Sequence, residues 1–201
     1  MTFARGLIII DSNTAFFYCF VETREVYTVM NFFGSGIRKQ FIENELKKIY
    51  FQFSTEFNDA YQRTEENIKN ELGIDEDKNI QKKPKRLNNE DDALNTAREF
   101  THYLRSHTIK VYEQLLRCEK ASLKKDSFFV LDKPIICFAD VGCGGGTASI
   151  ALLMLLSNYQ KFRLQKNCPI YPVEVNLLGL DPNSHALKIF TRFLEETKRE
   201  I

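Results

Sequence analysis

The alternation of apolar and polar positions predicts a β-rich start to the chain. Residues 7–10, 15–21 and 26–33 are β-branched or aromatic runs, and short polar segments separate them in the manner of turns. We therefore predict a small meander of strands over residues 6–33.

Two helical patterns follow the predicted meander. Apolar residues recur mostly three or four positions apart from Ile37 to Tyr61, which predicts one long helix that ends at Gly73. We expect its aromatic stripe to be core rather than a ligand site. A second apolar pattern predicts a helix over 93–118. Its His102 and His107 lie five apart instead of four, so we expect surface histidines and predict no metal site.

The segment between these helices has a different composition. Residues 74–92 are charged and nearly lack large apolar side chains, which predicts a solvated linker. The linker contains a basic pentapeptide at 82–86, a pattern that can bind phosphates or act as a nuclear address. Acidic runs flank it on both sides, and we favour an ordinary linker.

The chemistry of the sequence concentrates in a glycine-rich segment. Residues 135–139 form a continuous apolar run, as in a parallel strand buried on both faces. The run leads into Asp140-Val-Gly-Cys-Gly-Gly-Gly146, and residues 147–156 then favour a helix. Glycines allow the backbone to turn tightly and allow a ligand to lie against it at the helix N-terminus, where N–H groups favour an anion.

The spacing of the glycines excludes two common nucleotide sites. The dinucleotide pattern Gly-x-Gly-x-x-Gly fails, because Thr147 and Ser149 occupy the sixth position in the two possible registers. A phosphate-binding Walker loop would require a lysine, which is absent. Asp140, two residues before the first glycine, would repel a pyrophosphate but suits a cationic group such as an ammonium.

A second predicted strand, over 173–180, ends on an acidic residue, Asp181. An acid at this point of a strand–helix–strand unit can accept hydrogen bonds from both hydroxyls of a ribose. Asn183 or Ser184 then caps a final helix whose buried side includes Phe190. The alternative interpretation is that the glycines form only a tight turn and that Asp181 is only a helix cap.

The segment from Asp140 to Gly146 resembles motif I of class I S-adenosylmethionine-dependent methyltransferases, which is acid-x-Gly-x-Gly-x-Gly. In that family the glycine loop holds the methionine part of the cofactor, and the acid after the second strand holds the ribose. The resemblance therefore implies S-adenosyl-L-methionine as the cofactor. It implies eight cofactor-binding residues, in the glycine loop or directly after the second strand: Asp140, Gly142, Cys143, Gly144, Gly146, Asp181, Pro182 and Asn183.

The sequence departs from the family pattern in two respects. Asp181 follows Gly146 by 35 residues, whereas the usual interval is about 20, so we expect a longer first helix and loop over 160–172. The resemblance covers only residues 128–201, and the Asp/Asn-Pro-Pro-Tyr/Phe motif of amino-methylating members is absent. A narrower likeness, through Gly-Thr-Ala-Ser at 146–149, is to methyltransferases of the mitochondrial ribosome-assembly type.

These patterns together predict an α/β fold, with a partial Rossmann-like methyltransferase core preceded by a β-meander and long helices. We expect four regions: the meander with a long helix (1–73), the linker (74–92), a helical lead-in (93–127) and the partial core (128–201). Such a core lacks the other side of its cleft, so we expect one of three situations: a truncated and incomplete enzyme, a partner chain that completes the sheet, or a degenerate Rossmann-like fold. No catalytic residue can be named.

Composition narrows the remaining function classes. Hydrophobic residues make up 43% of the chain, and 28 basic residues balance 27 acidic ones, so no global charge favours nucleic acid. The five cysteines are scattered without a Cys-x-x-Cys pair, and no apolar run suits a membrane, so we expect a soluble cytoplasmic protein. The methyl acceptor would be a macromolecule, RNA or protein; the rival hypothesis is a non-catalytic interaction or scaffold protein.

Overall fold

The computed structural model describes residues 2–10, 36–72, 93–124, 130–170 and 172–198. The elements in chain order are β1 (Thr2–Ile10), α1 (36–45), α2 (Thr55–Glu71), α3 (Ala93–Ser122), β2 (Ile135–Val141), α4 (Thr147–Gln165), β3 (Val173–Asp181) and α5 (Ser184–Lys198). The mixture of helices and strands agrees with the predicted α/β class. The predicted strands at 15–21 and 26–33 and the linker at 74–92 lie outside the described residues.

The three described strands form one sheet in the order β1–β3–β2. Strand β2 is parallel to β3, with Asp140 opposite Gly179, and α4 connects the two strands. Strand β1 is antiparallel to β3 on the opposite edge. Within the described ranges, the outer edge of β2 has no strand partner. The predicted order of strand, glycine turn, helix and parallel strand is therefore confirmed.

The sheet buries only one of its faces against the described helices. Ile136 and Asp140 of β2 point into the core, together with alternate residues of β3. Their neighbours point the other way, and Ile135 and Val141 are 60% and 78% exposed. The prediction that residues 135–139 are buried on both faces is therefore wrong, because the helices of the described chain pack on one side alone.

Helix α4 is the centre of the core. Its apolar side chains are buried on almost every side, as the apolar composition of 147–156 predicted. The helix runs on to Gln165, and the surplus length between the glycines and Asp181 is taken up there and in the following loop, as expected. Helix α5 is amphipathic, and its buried side includes the predicted Phe190.

The prediction of one long helix from Ile37 to Tyr61 is wrong. Helix α1 ends at residue 45, and α2 begins at Thr55 after an extended Ser54. Only the interval between Phe41 and Leu46 departs from the helical spacing, because five residues turn a helix well off its own apolar face. The intervening Ile49 is 97% exposed, so the regular spacing through this position did not indicate core.

An aromatic cluster holds α2, α3 and α5 together. The rings of Tyr61 and Phe100 stack with centroids 5.0 Å apart, and Phe193 meets both rings edge-on. The predicted helix over 93–118 is confirmed as α3, which runs on to Ser122. Phe100 and Leu104 of α3 lie next to Gly145, so this helix passes beside the glycine loop. In the part of the chain that the structure describes, no helix combines the length and the apolar character needed to cross a membrane.

Candidate cofactor-binding site

The glycine loop links β2 to α4 through left-handed backbone. Gly142, Gly144 and Gly146 have φ angles of 70°, 52° and 90°, a region that L side chains rarely adopt. The loop is also tied to the neighbouring strand, because the N–H groups of Gly142 and Cys143 both donate to the carbonyl of Leu180, at 2.7 and 3.2 Å. The alternating glycines therefore follow from the backbone conformation that the turn requires.

Close packing is a second reason for glycine at two positions. A Cβ built on Gly146 would lie 2.1 Å from Cδ2 of Phe190, and a Cβ on Gly179 would lie 2.4 Å from Cε1 of the same ring. A Cβ on Gly142 or Gly144 would meet nothing within 4 Å. Gly146 therefore leaves room for the Phe190 ring of α5. Gly142 and Gly144 instead face open space that a ligand can occupy.

Asp140 caps the first turn of α4. Its Oδ2 accepts hydrogen bonds from the N–H of Ser149 at 3.1 Å and from the Ser149 hydroxyl at 2.9 Å. The residue is only 8% exposed, and it lines the cavity described below. Its second oxygen, Oδ1, has no hydrogen-bond partner within the described ranges. One oxygen of Asp140 therefore stabilises the loop while the other is available to a cationic ligand.

Asp181 braces the same loop from the end of β3. Its Oδ2 accepts a hydrogen bond from the N–H of Gly144 at 2.8 Å, and its Oδ1 accepts one from the N–H of Asn183, also at 2.8 Å. The Asn183 side chain then caps α5, because its Oδ1 accepts from the N–H groups of His185 and Ala186 at 2.9 and 3.1 Å. Asn183 is thus the N-cap, one of the two residues that the sequence offered for this position.

A cavity of about 640 Å³ lies between the glycine loop and α3. This volume falls within the range of small-molecule sites. Four of the eight predicted residues line it: Asp140, Gly142, Cys143 and Gly144. The other four lie beside it and are not part of its lining: Gly146, Asp181, Pro182 and Asn183. Asn183 is nevertheless joined to the covering helix, because its Nδ2 donates to Oγ1 of Thr96 at 2.8 Å.

Backbone N–H groups without a hydrogen-bond partner in the described chain also lie along the cavity. Gly145, Thr147 and Ala148 line it at the start of α4, and their N–H groups have no hydrogen bond to any described residue. The first N–H groups of a helix have no partner within the helix and carry its positive dipole end. Thr147 and Ala148 are two such donors, and the N–H of Gly145 lies directly before the N-cap Gly146. Donors of this kind suit a carboxylate or another small anion.

Sequence reasoning missed the opposite wall of the cavity. Eight residues of α3 line this side. Four of them follow one another at intervals of four, four and three residues, and we call these four the α3 wall: Glu99, Tyr103, His107 and Lys110. These intervals place the side chains on one helical face, so the spacing was visible in the sequence. What the sequence lacked was any sign that this face covers the glycine loop, since that depends on tertiary packing.

Two groups in the cavity have raised pKa values. Partial removal from water, and then the negative charge of Asp181, raise the pKa of Glu99. Burial is also the largest cause at Cys143, followed by the charges of Asp140 and Asp181, and the pKa of this thiol rises to about 12. Cys143 is therefore a neutral, buried wall residue and not a nucleophile at physiological pH.

Comparisons of the chain with protein-family models, with curated proteins and with solved structures give no match. The assignment of a function therefore depends on the geometry of the site and on the resemblance of the glycine loop to motif I.

Proposed function

We propose that the chain binds S-adenosyl-L-methionine and is the cofactor-binding portion of a class I methyltransferase. In this proposal β2, α4, β3 and α5 form the first half of a Rossmann-like core. The observation that supports it best is the set of three unpaired N–H groups beside two left-handed glycines, in a cavity that also contains the buried Asp140.

The cavity has N–H donors for the carboxylate of an amino acid and a carboxylate for its ammonium group. The N–H groups of Gly145, Thr147 and Ala148 would receive the carboxylate of the methionine part. Oδ1 of Asp140 would accept a hydrogen bond from the ammonium group, and a buried carboxylate with an unused oxygen is a strong acceptor. A dinucleotide would instead place its pyrophosphate beside this acid, which is electrostatically unfavourable.

The cofactor would supply an electrophilic methyl group on a sulfonium centre. The residues of this chain would act by binding and orientation, since transfer from such a centre is an in-line displacement that needs mainly a correctly placed acceptor. Gly142 and Gly144 would keep the loop free of side chains where the ligand lies closest to the backbone. Asp181 would hold the loop through Gly144 and would use its remaining lone pairs for the ribose.

A second candidate function has its own support. Both oxygens of Asp181 already accept backbone N–H groups, and the residue is not part of the cavity lining. Gly146 is explained by Phe190 without any ligand. These contacts favour a non-catalytic interaction or scaffold protein in which the glycine loop is only a tight strand–helix connection.

Calorimetric titration of the whole chain with S-adenosylmethionine separates the two functions. The decisive variant is Gly144→Asn, because asparagine tolerates left-handed backbone and a Cβ at this position meets no protein atom. The variant should fold, while its side chain occupies the space next to the loop. We expect saturable binding to the unmodified chain and a loss of at least about tenfold in the variant, since the ligand can no longer approach the backbone.

Gly36→Asn is the matched control, because Gly36 also has open space around it and lies far along the chain, at the start of α1. Its affinity for the cofactor should equal that of the unmodified chain. Absence of heat and of any thermal stabilisation at millimolar cofactor would contradict the proposal and support the scaffold function. Equal binding by the Gly144→Asn variant would show that the ligand does not use the glycine loop.

A further inference from the structure

The α3 wall contains a stacked aromatic pair in the lining of the cavity. The rings of Tyr103 and His107 are parallel within 7°, with centroids 5.4 Å apart. Tyr103 is 41% exposed, and His107 is exposed beside it. Both rings are therefore exposed beside the proposed cofactor site, and an outer face of the stacked pair can receive a further flat ring.

A positively charged residue, Lys110, lies about one helical turn along α3 from His107. Lys110 is exposed, lines the same cavity and has no ion-pair or hydrogen-bond partner within the described part of the chain. Arg117, further along α3, differs because it is bound to Glu113. The side chains of Tyr103, His107 and Lys110 therefore offer stacking and one uncommitted positive charge on a single face.

The acidic residue of the α3 wall, Glu99, lies at its other end. Glu99 is close enough to Asp181 for the charge of Asp181 to act on it. Glu99 and Lys110 are eleven residues apart, which corresponds to about 16 Å along a helix. The α3 wall is thus polarised, with the carboxylate of Glu99 near Asp181 and the amine of Lys110 on the far side of the aromatic pair.

We propose that the α3 wall is the acceptor side of the cleft and that it binds an unpaired base of a single-stranded nucleic acid. The base would stack on an outer face of the Tyr103–His107 pair, and the adjoining phosphate would pair with Lys110. This inference depends on the proposed function for its link to methyl transfer. The binding of a strand follows from the wall itself.

A base fits this wall better than a protein side chain does. Every base has a flat face that stacks on tyrosine or histidine, and the neighbouring phosphate requires a cation at short range, as Lys110 provides. A lysine or arginine acceptor would meet repulsion from Lys110. The balanced charge of the whole chain limits affinity, so we expect binding that is local and sensitive to salt.

The test is fluorescence anisotropy of the whole chain with labelled twelve-nucleotide single strands, one of RNA and one of DNA, and with a duplex of the same sequence. We expect the single strands to bind and the duplex to bind more weakly, since a paired base has no accessible face. Tyr103→Ala should weaken binding about five- to a hundredfold. Lys110→Ala should also weaken it and should reduce the dependence of affinity on salt by about one charge. The RNA and DNA arms identify which strand the site prefers.

Two exposed residues outside the cavity lining are matched controls. Tyr50→Ala removes a tyrosine that is 72% exposed, and Lys120→Ala removes an exposed lysine of the same helix. Neither should change the affinity for the strands. Equal effects of Tyr50→Ala and Tyr103→Ala would overturn the proposal, and so would the absence of binding to either strand, which would point to a protein acceptor.

Calorimetry with S-adenosylmethionine on the same variants separates this inference from the proposed function. A cofactor affinity that falls in Tyr103→Ala while strand affinity is unchanged would place Tyr103 in the cofactor site and overturn the acceptor assignment. Cofactor binding without strand binding contradicts the acceptor assignment alone. Strand binding that depends on Tyr103, without cofactor binding, contradicts the proposed function and supports the strand site.

Discussion

The carboxylate of Asp181 accepts a hydrogen bond from the N–H of Gly144, over a distance of 2.8 Å between Oδ2 and nitrogen. This contact joins the two most distinctive parts of the sequence, the glycine loop and the acid that ends β3. It fixes the loop in the conformation in which Gly142 and Gly144 face the cavity. Asp181 is therefore a structural part of the site whether or not it also contacts a ribose.

Replacement of Asp181 should affect both stability and ligand binding. Asp181→Ala removes the acceptor of two backbone N–H groups, and hydrogen bonds to a charged group contribute about 1.5–3 kcal/mol each. Asp181→Asn keeps one acceptor oxygen and should lose less stability. Urea unfolding measures this order. Affinities for S-adenosylmethionine and its demethylated product should fall together, since both contain the ribose. An unchanged free energy of unfolding in Asp181→Ala would show that the hydrogen bonds of this carboxylate do not stabilise the fold.

Gly146 should tolerate alanine less well than Gly142 does. Both have positive φ, which costs an L-residue about 1–2 kcal/mol. Only at Gly146 does the new Cβ overlap the ring of Phe190, and such overpacking costs about 1–3 kcal/mol more. The combination of Gly146→Ala with Phe190→Leu should recover part of that difference in a double-mutant cycle. Equal losses of unfolding free energy at the two glycines would contradict the packing argument.

Glu119 should make the stability of the fold depend on pH. The residue is 2% exposed; its Oε1 accepts from the N–H groups of Val130 and Leu131, and its Oε2 is buried without a partner in the described chain. Burial raises its pKa against the opposing effect of those two N–H groups. Its contribution to stability is therefore complete below the pKa of the unfolded chain and declines as pH rises through the raised folded pKa.

Glu119→Gln separates this effect from the rest of the acid–base behaviour. Glutamine keeps an acceptor oxygen, but its side chain does not ionise in this pH range. The stability of the variant relative to the unmodified chain should therefore increase from about pH 4 to pH 7, as measured by urea unfolding at each pH. A relative stability that decreases over this range would mean that the ionised carboxylate is the favoured native form.

Cys143 should be far less reactive than the exposed Cys118 and Cys137. Burial and the charges of Asp140 and Asp181 raise its pKa from 9.0 to about 12, which lowers the thiolate fraction on the order of a thousandfold at neutral pH. Alkylation by iodoacetamide, followed by peptide mass spectrometry, measures each site separately. Modification of Cys143 at a rate similar to that of Cys137 in the native chain would contradict the placement of this thiol.

The sequence was informative where structure depends on neighbouring residues. The order of β2, the glycine turn, α4, β3 and the cap of α5 follows from local composition, because strands, left-handed turns and helix caps each require particular residue types. Asn183 as N-cap and the extension of α4 to Gln165 are examples. The same local rules misled for residues 37–61, where a nearly regular apolar spacing continued through the exposed Ile49.

Features that depend on tertiary packing were not predictable in this way. The apolar run at 135–139 suggested two buried faces, but burial requires a covering element, and the described helices lie on one side. The α3 wall was equally hidden, since the position of α3 beside the glycine loop depends on packing between residues that are distant in sequence, such as Phe100 and Gly145. The structural partner of Asp181 also emerged only from the geometry, because Gly144 is distant in sequence.

The most direct test of the central claim follows the backbone N–H groups of the glycines during titration with S-adenosylmethionine. The chain contains nine glycines, so selective ¹⁵N-glycine labelling gives a simple NMR spectrum. We predict saturable shifts for Gly142, Gly144 and Gly145, which line the cavity, and an unchanged signal for Gly36. Signals of the three loop glycines that stay in place at millimolar cofactor would contradict the claim that this loop is a cofactor site.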